Sequence, residues 1–383
     1  MKTTKNIKVL HQRSSNFYGG PERQIHFHAR HASLTGIDIR VSSFSENNTT
    51  PDFLTTISDE NIPTKLFKVK SAYDNTSFHL IKKYIKDNHI DILCTHDYRS
   101  HYYGFRACRG TSTKWIAFSR GMTTGNIKVK IFNHLEKYLL RKAHHIVAVS
   151  ESQKQKLIKQ SIKPEKISTI HNAIDLSYIS SIQPISIKER FSFAPHNYVC
   201  MSAGRFSEEK GQFYFVKAAE MALQKNERLR FVLFGDGPDL LKIQAYIKNK
   251  ALDKYILCPG FESNILGLIK SADLLVNPSL SEGLPNIVLE ALASQIPVVV
   301  TNVGGHPEIV TDSRNGYIVE PKNINQLSER ILQMAENSDC LSDFAKDSRT
   351  TLKEKFSFTS QNKKLVNLYM QLSKLRPPYR LQK

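Results

Sequence analysis

The sequence predicts an α/β protein built from two doubly wound, Rossmann-like domains that face each other across a cleft. Three observations point there. The chain has 383 residues, which at roughly 150 residues per domain is enough for two to three. Short β-branched runs alternate with helix-compatible stretches through both halves, the rhythm of parallel strands joined by crossover helices. An irregular stretch from His171 to Asn197, with Asn172, Pro184 and Pro195, separates the two series.

In the first half, strands are expected near Ile7 to His11, Asp38 to Ser42, Ile90 to Thr95, Trp115 to Phe118 and Ile146 to Val149. Helices are expected near Pro21 to Ala32, Ser77 to Lys86 and Ile127 to Lys142. In the second half, strands are expected at Tyr198 to Ala203, Leu229 to Phe234, Tyr255 to Cys258, Leu274 to Asn277 and Pro297 to Thr301. The stretches Gly211 to Gln224, Pro238 to Lys250, Asn264 to Ser271 and Pro285 to Ser294 suit helices between them. The expected domains are therefore 1–180 and 181–355, followed by a helix and tail over 356–383, where Phe358, Leu365, Leu368, Tyr369 and Leu372 recur at helical spacing. Open parallel sheets bind ligands beyond the carboxyl ends of their strands, so the chemistry belongs in the strand-to-helix loops.

Composition narrows the function classes. Hydrophobic residues make up 40 % and charged residues 23 %, an ordinary globular balance that excludes disordered and collagenous chains. The longest apolar runs, such as Ile296 to Val300, fall far short of the roughly 18 residues that span a bilayer. The patch Ile7, Val9 and Leu10 is too short for a secretory signal, so a cytoplasmic location is expected. The five cysteines (Cys94, Cys108, Cys200, Cys258 and Cys340) are scattered without a Cys-x-x-Cys pair and are expected as reduced thiols. The formal charge of +19 is uneven, with +14 in residues 1–180 and +5 in 181–383. Such a surface attracts nucleic acid, anionic membranes or phosphorylated substrates.

Three loops carry the chemistry. Tyr18-Gly19-Gly20-Pro21-Glu22-Arg23 follows the first strand and opens a helix, where unpaired N–H groups and close backbone approach suit a phosphate. Ala203-Gly204-Arg205-Phe206 and Glu208-Glu209-Lys210-Gly211 set a strand-end Arg and a helix-start Lys over one loop, which suits a diphosphate. In Pro278-Ser279-Leu280-Ser281-Glu282-Gly283-Leu284-Pro285-Asn286-Ile287-Val288-Leu289-Glu290-Ala291, two carboxylates bracket a glycine turn. From Pro285 to Glu290 is about 7.5 Å of helix rise, so Glu282 and Glu290 reach different parts of one extended ligand. Carboxylates accept paired hydrogen bonds from vicinal hydroxyls, while the intervening N–H groups suit phosphate oxygens.

With these residues the sequence resembles the retaining glycosyltransferases of the GT-B fold, particularly family four. Gly204-Arg205 with Lys210-Gly211, Glu282-Gly283-Leu284-Pro285-Asn286 with Glu290, and Val303-Gly304-Gly305-x-x-Glu308 match that family's pattern in order and spacing. The Tyr18 to Arg23 loop and Asn172-Ala173-Ile174-Asp175 look like its amino-terminal glycine loop and linker motif, so the resemblance covers nearly the whole chain. It implies that Arg205 and Lys210 hold a donor diphosphate, Glu290 the ribose hydroxyls and Glu282 the transferred sugar's hydroxyls. Gly204 and the backbone of Gly283, Leu284, Pro285 and Asn286 would line the donor, with Gly19 and Gly20 approaching its phosphates. Gly235 (in Gly235-Asp236-Gly237-Pro238) and Phe261 fall where the family places nucleoside contacts. It also implies a final helix that crosses back to the first domain. No metal or other cofactor is implied, despite Asp236 and Asp239; the co-substrate would be a nucleoside diphosphate sugar, a UDP-sugar foremost.

In the first half, His96 looks like a family position near the acceptor. Where many relatives carry a His before a Gly, this chain has Arg120-Gly121. An Arg cannot act as a base near neutral pH, though it can stabilise charge on the sugar or the leaving phosphate. The expected reaction is transfer of a glycosyl unit to an acceptor hydroxyl with retained configuration, in bacterial lipopolysaccharide, capsule or other cell-surface glycan synthesis. The stretch Ile127 to Lys142 reads as amphipathic and basic, which suits an anionic membrane surface and a glycan or lipid-linked acceptor. A nucleic-acid partner is not expected: helix-turn-helix, zinc-finger and ribonucleoprotein patterns are missing, and Glu282 and Glu290 would repel phosphodiesters. A sugar-nucleotide epimerase or a non-catalytic binder would share the same fold and donor residues.

Overall fold

A computed structural model describes residues 6–32, 35–46, 49–71, 74, 77–121, 127–336 and 341–373. Cys340 and the side chains of Ile127, Lys128, Lys130 and Ile131 lie outside the described set. The chain divides into two compact units, Met1–Ala173 with Phe358–Lys383, and Ile174–Ser357.

Among the described residues, the first unit holds a seven-stranded sheet of β1 (Lys8–Gln12), β2 (Asp38–Ser45), β3 (Thr64–Lys68), β4 (Ile92–Thr95), β5 (Lys114–Ser119), β6 (His145–Ala148) and β7 (Ile167–Thr169), ordered β3-β2-β1-β4-β5-β6-β7. Every pairing is parallel. The order reverses between β1 and β4, the point where loops leave the sheet in opposite directions and open a ligand crevice. Strands β4 and β6, Ile-Leu-Cys-Thr and His-Ile-Val-Ala, are buried throughout. Such near-continuous apolar runs are what a parallel sheet covered on both faces demands. On one face pack α1 (Gly20–Ala32) and α2 (Asp52–Asp59); on the other, α3 (Ser77–Asp87), α4 (Tyr98–Cys108), α5 (Ile127–Lys142) and α6 (Glu151–Lys159).

The second unit repeats the plan with β8 (Tyr198–Ala203), β9 (Leu229–Phe234), β10 (Ile256–Gly260), β11 (Leu274–Asn277), β12 (Val298–Thr301) and β13 (Tyr317–Val319), ordered β10-β9-β8-β11-β12-β13. Its reversal falls between β8 and β11. Its helices are α7 (Leu176–Ser181), α8 (Ile187–Arg190), α9 (Gln212–Leu223), α10 (Leu240–Asn249), α11 (Ile265–Ile269), α12 (Asn286–Ala293), α13 (His306–Ile309), α14 (Ile324–Glu336) and α15 (Leu341–Lys355). Helices α7 and α8 fall inside the stretch expected to be irregular, each started by a short polar cap: Asp175 accepts from Tyr178 N–H and Ser186 from Glu189 N–H.

The last helix, α16 (Phe358–Ser373), returns to the first unit, where Leu365, Leu368 and Tyr369 are buried with Val9, Ile25 and Ile39. Ile174 N–H donates to Phe356 O at 2.7 Å, tying the outgoing chain to the returning one. Among the described residues, no helix is long and apolar enough to cross a membrane.

Candidate active site

In the second unit Gly204, Arg205, Lys210 and the Glu282 to Glu290 segment follow the carboxyl ends of β8 and β11, at the reversal of strand order, while Gly235 and Phe261 follow β9 and β10. After β8, a single 3-10 turn (Glu208–Lys210) ends on Gly211, and Lys210 Nζ reaches Glu282 Oε1 at 2.7 Å. The same carboxylate oxygen accepts from Ser279 Oγ at 2.7 Å. Burial would push the Glu282 carboxyl up, but Lys210 foremost, then His306, hold it below the usual carboxylate range. It therefore stays an anion at neutral pH. Arg205 stands exposed on the same loop, and the loop's shape is fixed by Gln212 Nε2, which donates to Arg205 O at 2.8 Å.

Two glycines make the approach of these loops possible. Gly211 has φ 67°, and a Cβ there would sit 2.1 Å from Pro278 O; Gly304 has φ 55°, and its Cβ would sit 2.1 Å from Glu282 O. Only glycine fits both the left-handed backbone and the space. Pro285 takes the cap position of α12 rather than its first turn, so the helix opens at Asn286 and buries Glu290 at 4 % exposure. Leu284 is buried beside it. After β9, Gly235 N–H donates to Gly260 O at 2.8 Å, placing the Gly235 loop beside Phe261, which is 72 % exposed. An exposed aromatic ring at a strand end is the type of surface on which a base stacks. Gly204 N–H donates to Phe234 O, so that amide is engaged within the fold.

One residue of this unit's site escaped the sequence reading. His306, fully buried, has its Nδ1 2.7 Å from Thr301 O and so donates there, leaving Nε2 as a bare acceptor with no hydrogen-bond partner among the described residues. Burial lowers its pKa to about 4, against the pull of Glu282. A lone His after a Gly-Gly pair gives no periodic signal by which to find it.

In the first unit, the loops after β1 and β4 flank the other reversal. Arg13 Nε donates to Glu22 Oε1 at 2.7 Å, its second arm donates to His96 O, and Glu22 Oε2 accepts the Gly19 N–H at 3.1 Å. The Gly19 amide is thus already engaged, and Gly20 opens α1. His96 is buried and both its nitrogens are occupied: Nδ1 lies 3.2 Å from Arg120 and Nε2 lies 2.8 Å from His11 Nδ1. In this arrangement His96 holds Arg120 and has no lone pair left for an acceptor's proton. Arg120 also donates to Asn172 Oδ1 at 2.9 Å and lies over the Phe118 ring. Burial, then Arg13, lowers its pKa to about 9, so it remains a cation at neutral pH.

Two doubly wound units, one carrying a Lys–carboxylate pair and a glycine-shaped loop cluster at its strand ends, define a glycosyltransferase of the two-domain Rossmann-like GT-B class. The chain belongs to the group 1 glycosyltransferases: the family model described as "Glycosyl transferases group 1" matches residues 185–351 and "Glycosyltransferase Family 4" matches residues 18–178. It is 25 % identical over 322 residues to an Escherichia coli UDP-Gal:alpha-D-GlcNAc-diphosphoundecaprenol alpha-1,3-galactosyltransferase, covering 81 % of this chain and 83 % of that one. It is 26 % identical over 246 residues to a Staphylococcus aureus poly(ribitol-phosphate) alpha-N-acetylglucosaminyltransferase, covering 62 % of this chain and 47 % of that one. The chain thus spans about half the length of the second relative. Among solved structures, Anabaena HepE in complex with UDP superposes with a TM-score of 0.79 at 18 % identity, covering 95 % of this chain and 100 % of that one.

Proposed function

We propose that this glycosyltransferase is a retaining, metal-independent, hexosyltransferase-type enzyme that moves a sugar from a UDP-sugar to an acceptor hydroxyl in cell-surface glycan synthesis, lipopolysaccharide or capsule foremost. The observation that carries the donor half is the 2.7 Å pairing of Lys210 with the buried carboxylate of Glu282, on a loop that Arg205 shares. Lys210 and Arg205 stabilise the charge that grows on the leaving diphosphate, a stabilisation realised most fully in the transition state. Glu282 holds the transferred sugar's hydroxyls and Glu290 the ribose. A phosphate oxygen of the leaving group takes the acceptor's proton, which fits a site where His96 has no free lone pair. Arg120 stabilises negative charge in the same reaction. The UDP in the printed names of HepE and of the galactosyltransferase supports the choice of nucleotide.

The acceptor is a glycan or a lipid-linked saccharide, met at the inner face of the membrane. The support is the +14 charge of residues 1–180 together with α5, where Leu135 and Tyr138 are exposed among Lys137, Arg141 and Lys142. The test is a panel of nucleotide sugars in a thermal-shift screen, followed by product analysis with labelled donor. A UDP-sugar that raises the melting point and yields a new glycoside of retained configuration supports the reading. An isomerised nucleotide sugar would make the protein an epimerase instead, and a bound but unchanged one a binder.

A further inference from the structure

A single hydrogen-bond chain joins Arg120 to the last helix. Arg120 lies 3.2 Å from His96 Nδ1, His96 Nε2 lies 2.8 Å from His11 Nδ1, and His11 Nε2 lies 3.3 Å from Tyr369 Oη. Tyr369 Oη lies 3.1 Å from His28 Nε2, and His28 Nδ1 meets Asn362 Oδ1. Guanidinium nitrogens only donate, so the direction is settled at one end. Arg120 donates to His96 Nδ1; His96 must then carry its proton on Nε2 and donate to His11 Nδ1. His11 in turn donates from Nε2 to the Tyr369 oxygen, whose own hydrogen is left for His28 Nε2. His28 finally donates from Nδ1 to the Asn362 oxygen. Every link is satisfied with all three imidazoles neutral; His96 and His11 must be neutral because each accepts on Nδ1, whereas His28 is neutral by burial, since the Tyr369 oxygen could accept from both rings and turn its hydrogen to Cys94 Sγ at 3.8 Å. Burial favours that condition, lowering the pKa of His28 to about 4 and holding those of His11 and His96 well below the ordinary imidazole value.

A second route reaches the same guanidinium. Asn172, the other partner of Arg120, stands between two anchored residues: Gln361 of α16 donates to His171 O at 2.8 Å, and Gln24 of α1 makes a reciprocal pair with the Ala173 N–H and C=O at 2.8 and 2.7 Å. Arg120 Nε is buried and has no hydrogen-bond partner among the described residues, so the guanidinium's place is set by these two holds.

We propose that α16 is the positioning element for Arg120, with Tyr369 as the positioning residue that orders the histidine chain. This rests on the reading that Arg120 stabilises charge in the transfer reaction. Tyr369 touches no reacting atom; it acts through His11 and His96.

The test uses the full chain, uniformly labelled with nitrogen-15, and reads the imidazole tautomers by long-range proton–nitrogen correlation at neutral pH. Expected are Nε2–H for His11 and His96 and Nδ1–H for His28. Arg120→Gln, which removes the obligate donor, should release His96 and His11 into mixed tautomers. Tyr369→Phe should lower kcat roughly 10- to 100-fold, with KM for the donor nearly unchanged. Turnover is read as UDP release from whichever of UDP-glucose, UDP-galactose or UDP-N-acetylglucosamine the wild type consumes. Should Arg120→Gln turn over normally, the charge role of Arg120 and this proposal fall together. Should Arg120→Gln be impaired while Tyr369→Phe turns over normally, the charge role stands and the positioning proposal is overturned. If Tyr369→Phe does not fold, the wild-type spectrum still decides: His96 protonated on Nδ1 overturns the chain.

Discussion

Lys210 Nζ and Glu282 Oε1 lie 2.7 Å apart although 72 residues separate them in sequence, and their backbones meet as well, with Leu280 N–H donating to Glu209 O at 2.7 Å. The cause is topological. Strands β8 and β11 are sheet neighbours at the point where strand order reverses, so the loops leaving them are brought side by side. An oppositely charged neighbour held there keeps the buried Glu282 carboxyl ionised.

Breaking the pair should cost more than deleting it. The Lys210 side chain is 30 % exposed and that of Glu282 only 8 %, so Lys210→Ala strands a carboxylate out of water, whereas Glu282→Gln leaves a cation that can reach solvent. Lys210→Ala is expected to lower stability more than Glu282→Gln, and the double variant should recover about 1 kcal/mol relative to additivity. Urea denaturation of the four proteins measures this; strict additivity would mean that the pair is not coupled in solution.

Arg205→Ala gives the opposite profile. The side chain is exposed, so its removal should leave the melting temperature close to wild type while reducing turnover by about 10²- to 10³-fold. Scanning calorimetry beside a steady-state assay with the donor identified by thermal shift separates the two effects. Near-normal turnover would remove Arg205 from the diphosphate site.

Gly304→Ala should lose both stability and donor binding. Its Cβ would lie 2.1 Å from Glu282 O on a left-handed backbone, so the loop bearing Glu282 must move. A loss above about 1 kcal/mol is expected, together with a UDP dissociation constant raised at least tenfold by isothermal titration. Unchanged UDP binding would show that the Glu282 loop does not shape the donor site.

The strands around the second unit's reversal of order were legible in the sequence because they are apolar enough to stand out: Tyr198 to Ala203, Leu229 to Phe234 and Leu274 to Asn277 coincide with β8, β9 and β11, whereas the order itself is a property of the sheet. Strands β7 and β13 have three residues each, too few for any period, and β3 is an edge strand with Phe67 as its one buried residue, so nothing marked them. Helix α4 was hidden by its polar, glycine-containing sequence and is set by the Asp97–Ser100 capping box instead. The Lys210–Glu282 site was visible as ordered motifs on adjacent loops. The seat of Arg120 was not, because its chain of partners spans 358 residues from His11 to Tyr369 and no local pattern links them.

Acid should unfold the protein from a pH well above the usual carboxylate range. Burial lowers the pKa of His28 and His306 to about 4 and that of His101 to about 3, and holds those of His11 and His96 well below the ordinary imidazole value. In the unfolded chain each would titrate near about 6.5. Between those values the unfolded state binds more protons, so stability is complete above about pH 6.5 and falls as pH drops, by on the order of 1 kcal/mol per pH unit for each group. Glu136 works the other way: burial, then Asp97, raises its pKa to about 7, so the folded state takes up that proton first and gains stability as pH falls through 7. Five histidines against one carboxyl leave a net loss. Melting temperatures from pH 8 to 4.5 should therefore decline steeply below about 6.5, and a flat profile across that window would mean that these imidazoles are charged in the native protein, which the accepting Nδ1 atoms of His96 and His11 do not permit.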